Sequence, residues 1–383
     1  MSDRIRIAVL GSTGSVGTQT LDVIRQFPER FEVVALSAGR NVELLAGQVT
    51  EFAPRYAFAE LDSPGLRDAF DSVGTRWTPT DEIAQAEGVD VVLVATAGAA
   101  GLLPTLNALN IGRPVAIANK EVLVMAGHLV RRAVQKPGDL RPVDSEHSAI
   151  WQCLWGEESH EIRRILLTAS GGAFRDFDAV QLASVTAEQA LNHPTWKMGT
   201  KITVDSATLM NKGMETIEAT WLFDVPMEKV EVVLHRESIV HSLVEFSDGS
   251  VKAQLGVPDM RLPIQLALAY PERMPEPAME RLDLAKAGTL SFGTPDIKRF
   301  PCLELAMRAG ALGGTYPAAM AAADEVAVER FLAGGIRFLD IPRIIEAVLA
   351  DHANVADPDL ETVIEADRSA RDRARQASSG VTA

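Results

Sequence analysis

The chain has 383 residues but only 2 cysteines, Cys153 and Cys302, and aromatic side chains make up only 5% of it. The two cysteines lie far apart and in no spacing typical of a metal site. We therefore expect no disulfide framework, and a reducing compartment suits the sequence. Basic residues are also scarce: 37 lysines and arginines stand against 52 aspartates and glutamates, which gives a formal net charge of −15. Such a surface would repel a nucleic-acid backbone, so we expect no nucleic-acid partner.

Long apolar runs are absent as well. The most apolar region, residues 89–104, is broken by Gly98 and Gly101. It falls short of the roughly 20 residues that a membrane-spanning helix needs. The apolar stretch at residues 7–10 is too short for a signal peptide. We therefore expect a cytoplasmic protein with no membrane partner.

The composition and patterning that are present indicate a globular protein with two or three domains. Hydrophobic residues make up 47% of the chain and charged residues 23%. Up to about residue 144, short β-branched runs alternate with helical segments; the runs are residues 5–10, 31–37, 89–96 and 114–119. This alternation predicts a parallel, doubly wound sheet of the α/β class, and we assign residues 1–144 to a Rossmann-like dinucleotide-binding domain.

After this region the pattern changes to that of an α+β domain, which we place at residues 145–273. Residues 163–169, 229–235 and 238–256 have strand-like sequences. The last of them contains Asp248-Gly249 between two apolar runs, which is a strong hairpin signal.

The final third of the chain predicts helices. Residues 274–300 are interrupted repeatedly by proline and glycine, which indicates a linker. Residues 301–383 are rich in alanine and other helix formers and contain no convincing strand. They predict a C-terminal helical bundle.

A glycine-rich loop follows the first predicted strand. Residues 11–17 read GSTGSVG, a G-x-x-G-x-x-G variant of the dinucleotide fingerprint, and they open a predicted helix. Glycine permits the tight turn and a close approach of the backbone to a pyrophosphate, and the helix N-terminus offers free N–H groups. The loop predicts a nucleotide site; a purely structural turn between strand and helix is the alternative interpretation.

The end of the second predicted strand discriminates between dinucleotides. An NAD enzyme usually carries an acidic residue there, bonded to the ribose 2′-hydroxyl. Here the sequence is Gly39, Arg40 and Asn41, with no carboxylate, so a guanidinium is available for a 2′-phosphate. This favours NADPH, and the alternative is that Arg40 is an ordinary surface arginine.

Charged residues occur directly after the fourth predicted strand, at Lys120, and again at Asp144 and Glu146. Ligands of open α/β sheets bind outside the carboxyl ends of the strands, so Lys120 is placed to meet a substrate beside the nicotinamide. Asp144 and Glu146 lie two apart, and on one face if the segment is extended. Such a pair suits a hard divalent ion such as Mg²⁺ or Mn²⁺. The alternatives are a solvated lysine and two exposed surface acids.

A predicted helix over residues 205–221 presents polar groups opposite an apolar stripe: Asn211, Lys212 and Glu215. Hydroxyl residues at its start, Ser206 and Thr208, with a lysine one turn inside, suit a phosphate. The alternative is an ordinary solvated helix face.

Two further segments carry the same signal. Ser170 begins a Ser-Gly-Gly turn after a strand, which is typical of a phosphate loop. Residues 191–199 have the character of a mobile lid with an apolar tip. The alternative is a packed loop with a buried Trp196, and His193 is either a phosphate ligand or a turn residue. Together these signals indicate a phosphorylated, hydroxyl-rich substrate held by a metal.

In combination, these motifs closely resemble the 1-deoxy-D-xylulose 5-phosphate reductoisomerase family. They occur in the order GSTGSVG, AGRN, NKE, PVDSEH, SGGAFR, NHPTWKMG, KITVDSATLMNKGMETIEA and GSVKAQLGVPDMR. The resemblance covers nearly the whole chain, and VDSATLMNKGMET is its most specific piece. Departures are small: Arg40 stands where a lysine also occurs, and Ala321 and Asp324 replace asparagines.

The resemblance implies an NADPH- and metal-dependent enzyme of isoprenoid biosynthesis. Such an enzyme rearranges and reduces 1-deoxy-D-xylulose 5-phosphate to 2-C-methyl-D-erythritol 4-phosphate. The catalytic domain would also form a homodimer, and residues 193–199 would form a lid in which Trp196 closes over the substrate.

The resemblance also implies the site residues. The metal ligands, for Mg²⁺ or Mn²⁺, would be Asp144, Glu146 and Glu215, which with Lys120 form the implied catalytic set. The substrate would contact Lys120, Ser145, Glu146, Ser170, His193, Ser206, Asn211, Lys212 and Glu215. NADPH would contact Thr13, Gly14, Ser15, Val16, Gly39, Arg40, Asn41, Asn119, Glu121 and Gly199.

Two rival functions remain open from the sequence. One is another NADPH oxidoreductase of similar architecture, such as a homoserine dehydrogenase-like enzyme, which has no need of three carboxylates around a metal. The other is a non-catalytic NADPH-binding regulator, which needs neither a lid nor a metal.

Overall fold

The computed structural model describes residues 4–196, 198–275 and 278–380. The strands are β1 (Ile5–Leu10), β2 (Phe31–Ala38), β3 (Tyr56–Ala59), β4 (Arg76–Trp77), β5 (Val91–Val94), β6 (Val115–Ile117), β7 (Leu140–Pro142), β8 (Ile162–Ala169), β9 (Val230–Leu234), β10 (Val240–Phe246) and β11 (Val251–Leu255). The helices are α1 (Ser15–Gln26), α2 (Val42–Phe52), α3 (Pro64–Val73), α4 (Thr80–Ile83), α5 (Leu102–Asn110), α6 (Lys120–Ala133), α7 (Ser145–Cys153), α8 (Ala179–Leu182), α9 (Ala187–Ala190), α10 (Thr200–Thr208), α11 (Met210–Phe223), α12 (Arg261–Ala269), α13 (Leu284–Ala287), α14 (Pro301–Leu312), α15 (Tyr316–Leu332), α16 (Asp340–Ala350) and α17 (Leu360–Gly380). None of the helices in these described ranges has the length and apolar character that crossing a bilayer requires.

The chain folds into two compact units. The first comprises Met1–Val122, His128–Ser148 and Asp259–Glu280. The second comprises Leu123–Gly127, Ala149–Pro258 and Arg281–Ala383. The division into two units does not test the domain boundaries after residues 144, 273 and 300, which stay predictions.

A parallel sheet of seven strands forms the centre of the first unit, in the order β4-β3-β2-β1-β5-β6-β7. The chain adds strands on one side of β1 up to β4 and on the other side from β5 onward. Ile7–Leu10 is buried throughout, because its aliphatic side chains lie between helices on both faces of the sheet. The predicted Rossmann-like fold is confirmed. The order reverses at β1, and ligands of such sheets bind outside the carboxyl ends of the strands at that point.

Helix α12 belongs to this first unit although it lies far along the chain. Its Ile264 and Leu268 are buried in the same apolar core as Leu21 of α1. The buried Arg141 guanidinium donates to the carbonyl oxygen of Ala267 over 2.9 Å and lies over the Tyr270 ring. Burial lowers the pKa of Arg141. The predicted α+β domain at residues 145–273 includes this segment, because nothing in its local sequence indicates the core against which it packs.

The second unit contains a four-stranded mixed sheet in the order β11-β10-β8-β9. Strand β8 runs antiparallel to β10 and parallel to β9. The predicted hairpin at Asp248-Gly249 is confirmed, and Gly249 has a φ of +86° in the turn between β10 and β11. The described residues from 301 to 380 hold four helices, α14 to α17, and no strand, as the sequence predicts.

Candidate active site

The glycine-rich loop of the first unit makes the tight turn that its spacing predicts. A Cβ on Gly17 would overlap the carbonyl oxygen of Gly11, so α1 packs on the loop only without a side chain there. Gly14 precedes α1, and the first turn of α1 carries no acidic residue. The N–H groups of this turn have no acceptor within the helix and therefore suit an anion. A buried brace supports the loop: Ser12 Oγ donates to Gln48 Oε1 over 2.7 Å.

The close approach at Gly17 leads to a prediction. Gly17→Ala is expected to lower the free energy of unfolding by about 1–3 kcal/mol, because the added methyl group overpacks the loop. Gly47→Ala, on α2, is the matched control, since a Cβ there meets nothing within 4 Å. Urea denaturation measures both variants. Equal midpoints would mean that the loop has room to accommodate the methyl group.

The residues after β6 are held firmly in the first unit. The Asn119 side chain accepts the Val122 N–H over 3.1 Å and donates to the carbonyl oxygen of Gly98 over 2.9 Å. Lys120 begins α6, is buried, and forms an ion pair with Asp144. The interpretation of Lys120 as a solvated lysine is therefore excluded.

The acidic pair lies at the start of α7, not on an extended segment as the one-face argument assumed. The turn into the helix still brings the two side chains together: one oxygen of Asp144 and one of Glu146 lie within 4.8 Å of each other. The Glu146 N–H donates to Asp144 Oδ1 over 3.2 Å, and the Ser145 hydroxyl donates to the Glu146 carboxylate. The buried His147, which the sequence analysis missed, has its Nδ1 3.3 Å from Asp144 Oδ1.

In the second unit, the Ser-Gly-Gly turn packs on the end of α10. Gly172 has a φ of +71°, and a Cβ on it would overlap the carbonyl oxygen of Ser206. The Gly172 N–H donates to Ser170 Oγ over 3.3 Å. The structure thus brings together the Ser170 and Ser206 segments, which are both predicted to bind a phosphate although they are far apart in the sequence.

The predicted helix over residues 205–221 is wrong in one respect, because it is two helices. Leu209 has a φ of 62° and separates α10 from α11. Ser206 and Thr208 therefore lie at the end of α10 and not at a helix start. The break is supported by Thr208 Oγ1, which accepts the Met210 N–H over 3.2 Å.

The polar residues of α11 form one hydrogen-bonded group. Glu215 accepts from Asn211 Nδ2 over 2.6 Å and from Lys212 Nζ over 2.5 Å. Lys212 and Glu215 are 4% and 1% exposed, so this is no solvated helix face. Asn211 Oδ1 is buried and has no hydrogen-bond partner among the described residues. A ligand with a donor group would satisfy it.

His193 organises the loop that the sequence predicts as a lid. Its Nδ1 accepts the N–H groups of Thr195 and Trp196 over 3.1 and 2.8 Å. The ring proton therefore lies on Nε2, which is 2.9 Å from Ser170 Oγ. Burial, with repulsion from Arg175, lowers the pKa of His193 to about 4. The side chain is thus more than a turn residue, because it joins the loop to the Ser-Gly-Gly turn.

The aromatic tip of the same loop is Trp196. Its ring is half-buried and lies 6.2 Å from the ring of His241. Gly199 is exposed and precedes α10. Lys197, which the predicted lid includes, lies outside the described residues.

The lowered pKa of His193 predicts a pH dependence. Its folded-state pKa of about 4 lies below the ordinary value of 6.5, so its neutral form stabilises the loop fully above pH 6.5. This contribution is lost as the pH falls from 6.5 towards 4. We expect the His193 imidazole signal in NMR to titrate near pH 4, with His193→Gln used to assign it. A midpoint near 6.5 would contradict the buried, hydrogen-bonded geometry.

Three family models together match most of the chain. Residues 7–127 match the family model described as 1-deoxy-D-xylulose 5-phosphate reductoisomerase. Residues 140–223 match the 1-deoxy-D-xylulose 5-phosphate reductoisomerase C-terminal domain, and residues 255–373 match the DXP reductoisomerase C-terminal domain.

Curated relatives with the name 1-deoxy-D-xylulose 5-phosphate reductoisomerase match over nearly their full length. The protein from Exiguobacterium sibiricum is 50% identical, over 96% of this chain and 97% of its own. The protein from Pelotomaculum thermopropionicum is 51% identical, over 95% of this chain and 96% of its own.

Solved structures are similar as well. One, a DOX-P reductoisomerase in complex with NADPH, fosmidomycin and magnesium, has a TM-score of 0.91 and 41% identity, with 98% of each chain covered. Another is the 1-deoxy-D-xylulose 5-phosphate reductoisomerase from Zymomonas mobilis in complex with NADPH. It has a TM-score of 0.90 and 43% identity, and the match covers 99% of this chain and 100% of the Zymomonas mobilis chain.

Proposed function

Because the chain belongs to the 1-deoxy-D-xylulose 5-phosphate reductoisomerase family, we propose that the predicted residues form one active site for both the rearrangement and the reduction. The chain is an NADPH- and divalent-metal-dependent oxidoreductase that converts 1-deoxy-D-xylulose 5-phosphate to 2-C-methyl-D-erythritol 4-phosphate. The observation that carries this function is the 50% identity to a relative of that name over 96% of the chain. When bound, the divalent cation supplies a Lewis acid for the carbonyl and hydroxyl oxygens of the substrate, and NADPH supplies the hydride.

NADPH would be held at the carboxyl ends of β1 and β2. The glycine cradle at Gly14 and Gly17 fits a pyrophosphate, since the first turn of α1 presents N–H groups and no acid. Arg40 is exposed at the end of β2 and suits the 2′-phosphate. The proposed NADPH contacts are Thr13, Gly14, Ser15, Val16, Gly39, Arg40, Asn41, Asn119, Glu121 and Gly199.

Arg40 provides a test of the cofactor assignment. Arg40→Glu is expected to raise the KM for NADPH at least about tenfold, because a charge-assisted bond is replaced by repulsion. NADH has no 2′-phosphate, so its KM should change far less. Steady-state kinetics with both cofactors measure this. Equal changes for NADPH and NADH would remove Arg40 from the 2′-phosphate site.

The metal would be shared by Asp144, Glu146 and Glu215. Carboxylate oxygens are the ligands that Mg²⁺ and Mn²⁺ prefer. The closely spaced oxygens of Asp144 and Glu146 support this assignment, as does the burial of Glu215 at 1% exposure. Lys120, through its ion pair with Asp144, would hold that carboxylate in position.

The substrate phosphate would be bound by side chains of the second unit. Ser170 Oγ accepts from His193 Nε2 in the neutral tautomer, so its own hydroxyl proton is left to donate to a phosphate oxygen. Lys212 adds a buried positive charge, and Ser206 adds a second hydroxyl. The proposed substrate contacts are Lys120, Ser145, Glu146, Ser170, His193, Ser206, Asn211, Lys212 and Glu215. Residues 193–199 would form the lid that excludes water, with Trp196 over the substrate.

Assembly and location belong to the same proposal. The resemblance supports a homodimer formed by the catalytic domain, and the three-domain division at residues 1–144, 145–273 and 301–383 with a linker at 274–300. A cytoplasmic location is supported by Cys153 and Cys302, which are both free and buried.

The function is tested by an assay with purified protein, 1-deoxy-D-xylulose 5-phosphate, NADPH and Mg²⁺. NADPH is expected to be consumed with one equivalent of 2-C-methyl-D-erythritol 4-phosphate formed, and a chelator should stop both. A homoserine dehydrogenase-like enzyme would leave this substrate untouched. A non-catalytic regulator would bind NADPH and consume none.

A further inference from the structure

A carboxylate that the sequence analysis did not consider lies beside the end of β2. Glu60 directly follows β3, which pairs with β2 so that Ala59 lies opposite Ala38. The Glu60 N–H points to the carbonyl oxygens of Ala38 and Gly39, at 3.3 and 3.2 Å. Its Oε2 lies 3.6 Å from the place where a Cβ on Gly39 would stand. The Glu60 carboxylate therefore rests against the residue that precedes Arg40.

This position matters for the adenosine end of a dinucleotide. In such folds the residue at the end of the second strand meets the 2′ position of the ribose. Arg40 brings a positive charge there, and Glu60 brings a negative one from the neighbouring strand. No ion pair within 4.0 Å joins Arg40 to a carboxylate in the described part of the chain, so the two exposed charges remain separate.

We infer that Glu60 is a specificity-determining residue that opposes Arg40 and limits the affinity for NADPH. This inference rests on the proposed NADPH function. A phosphate monoester carries about −1.5 to −2 charges at neutral pH, so a neighbouring carboxylate repels it. NADH lacks this phosphate and escapes the repulsion. Glu60 therefore lowers the preference for NADPH over NADH below the level that Arg40 alone would set.

If the Glu60 carboxylate had a different role, its removal would have the opposite effect on cofactor affinity. If Glu60 accepted a hydrogen bond from a ribose hydroxyl, its removal would weaken the binding of both cofactors. The exposed Arg40 at the end of β2 favours the repulsive role, because it identifies a phosphate and not a hydroxyl as the group recognised there.

The experiment is a fluorescence titration of the full chain with NADPH and with NADH, without substrate. Glu60→Gln is expected to lower the Kd for NADPH about threefold to tenfold, as suits one exposed charge beside a phosphate. The Kd for NADH should stay within about twofold. The gain for NADPH should shrink as the salt concentration rises, because the charges are exposed to solvent.

Asp71→Asn is the matched control. Asp71 is exposed near the end of α3, the helix that returns the chain from the carboxyl ends of the parallel strands to their amino ends. Its substitution changes the net charge by the same amount. Its Kd for NADPH should equal that of the wild type. The inference is overturned if Glu60→Gln leaves the NADPH Kd unchanged, or weakens both cofactors. A wild type that binds no NADPH would overturn the proposed function and this inference with it.

Discussion

Glu215→Gln is expected to abolish both halves of the reaction. The rearrangement of 1-deoxy-D-xylulose 5-phosphate should fall at least about 100-fold, the size typical of losing one electrostatic group of an active site. The family resemblance implies that the rearrangement forms an aldehyde, 2-C-methyl-D-erythrose 4-phosphate, which is then reduced. Its reduction should fall as much when this aldehyde is supplied directly. The reason is that Glu215 is the buried carboxylate on which Asn211 and Lys212 converge, and the one proposed to complete the metal site.

Two other variants serve as controls for the effect of Glu215→Gln. Glu228→Gln removes an exposed carboxylate shortly after α11 and should leave both rates unchanged. Arg40→Glu should impair only the step that needs NADPH. The shared role of Glu215 is falsified if its variant reduces the supplied aldehyde at the wild-type rate.

Lys212→Ala should raise the KM for 1-deoxy-D-xylulose 5-phosphate by about 10- to 150-fold. This corresponds to about 1.5–3 kcal/mol, the range for a hydrogen bond to a charged group. Lys212 is buried and rigidly held beside Glu215, so binding the phosphate costs little side-chain ordering.

The NADPH Kd of Lys212→Ala, measured by fluorescence, should stay at the wild-type value, which separates a lost phosphate contact from general damage. Lys286→Ala removes an exposed lysine and serves as the control. A KM within twofold of the wild type would show that Lys212 is not a phosphate ligand.

The strands that the sequence predicts are those with the longer apolar runs. The run at residues 5–10 forms β1 with the predicted bounds. Three strands of the first unit were not predicted: β3 has only four residues, β4 consists of two exposed residues, and β7 has three residues and contains a proline. Such short strands exist because neighbouring strands offer hydrogen bonds to them, and no local pattern encodes that.

The sequence proposes the site residues by their type and spacing, but it does not predict their local geometry. The left-handed backbone at Leu209 separates α10 from α11, and a leucine gives no turn signal as a glycine would. His147 gave no signal either, because a single buried histidine has no motif of its own. Glu60 escaped attention because it stands some twenty residues beyond the strand end it faces.

We propose that Asp144, Glu146 and Glu215 hold one divalent cation, on which both halves of the reaction depend. The most direct measurement is Mn²⁺ binding, followed by the electron paramagnetic resonance signal of free Mn²⁺. The wild-type protein should bind one Mn²⁺ per chain tightly. Asp144→Asn, Glu146→Gln and Glu215→Gln should each weaken binding at least about tenfold, whereas Glu228→Gln should not. Binding of Mn²⁺ by Glu215→Gln with the wild-type affinity would show that Glu215 is not a ligand of the cation.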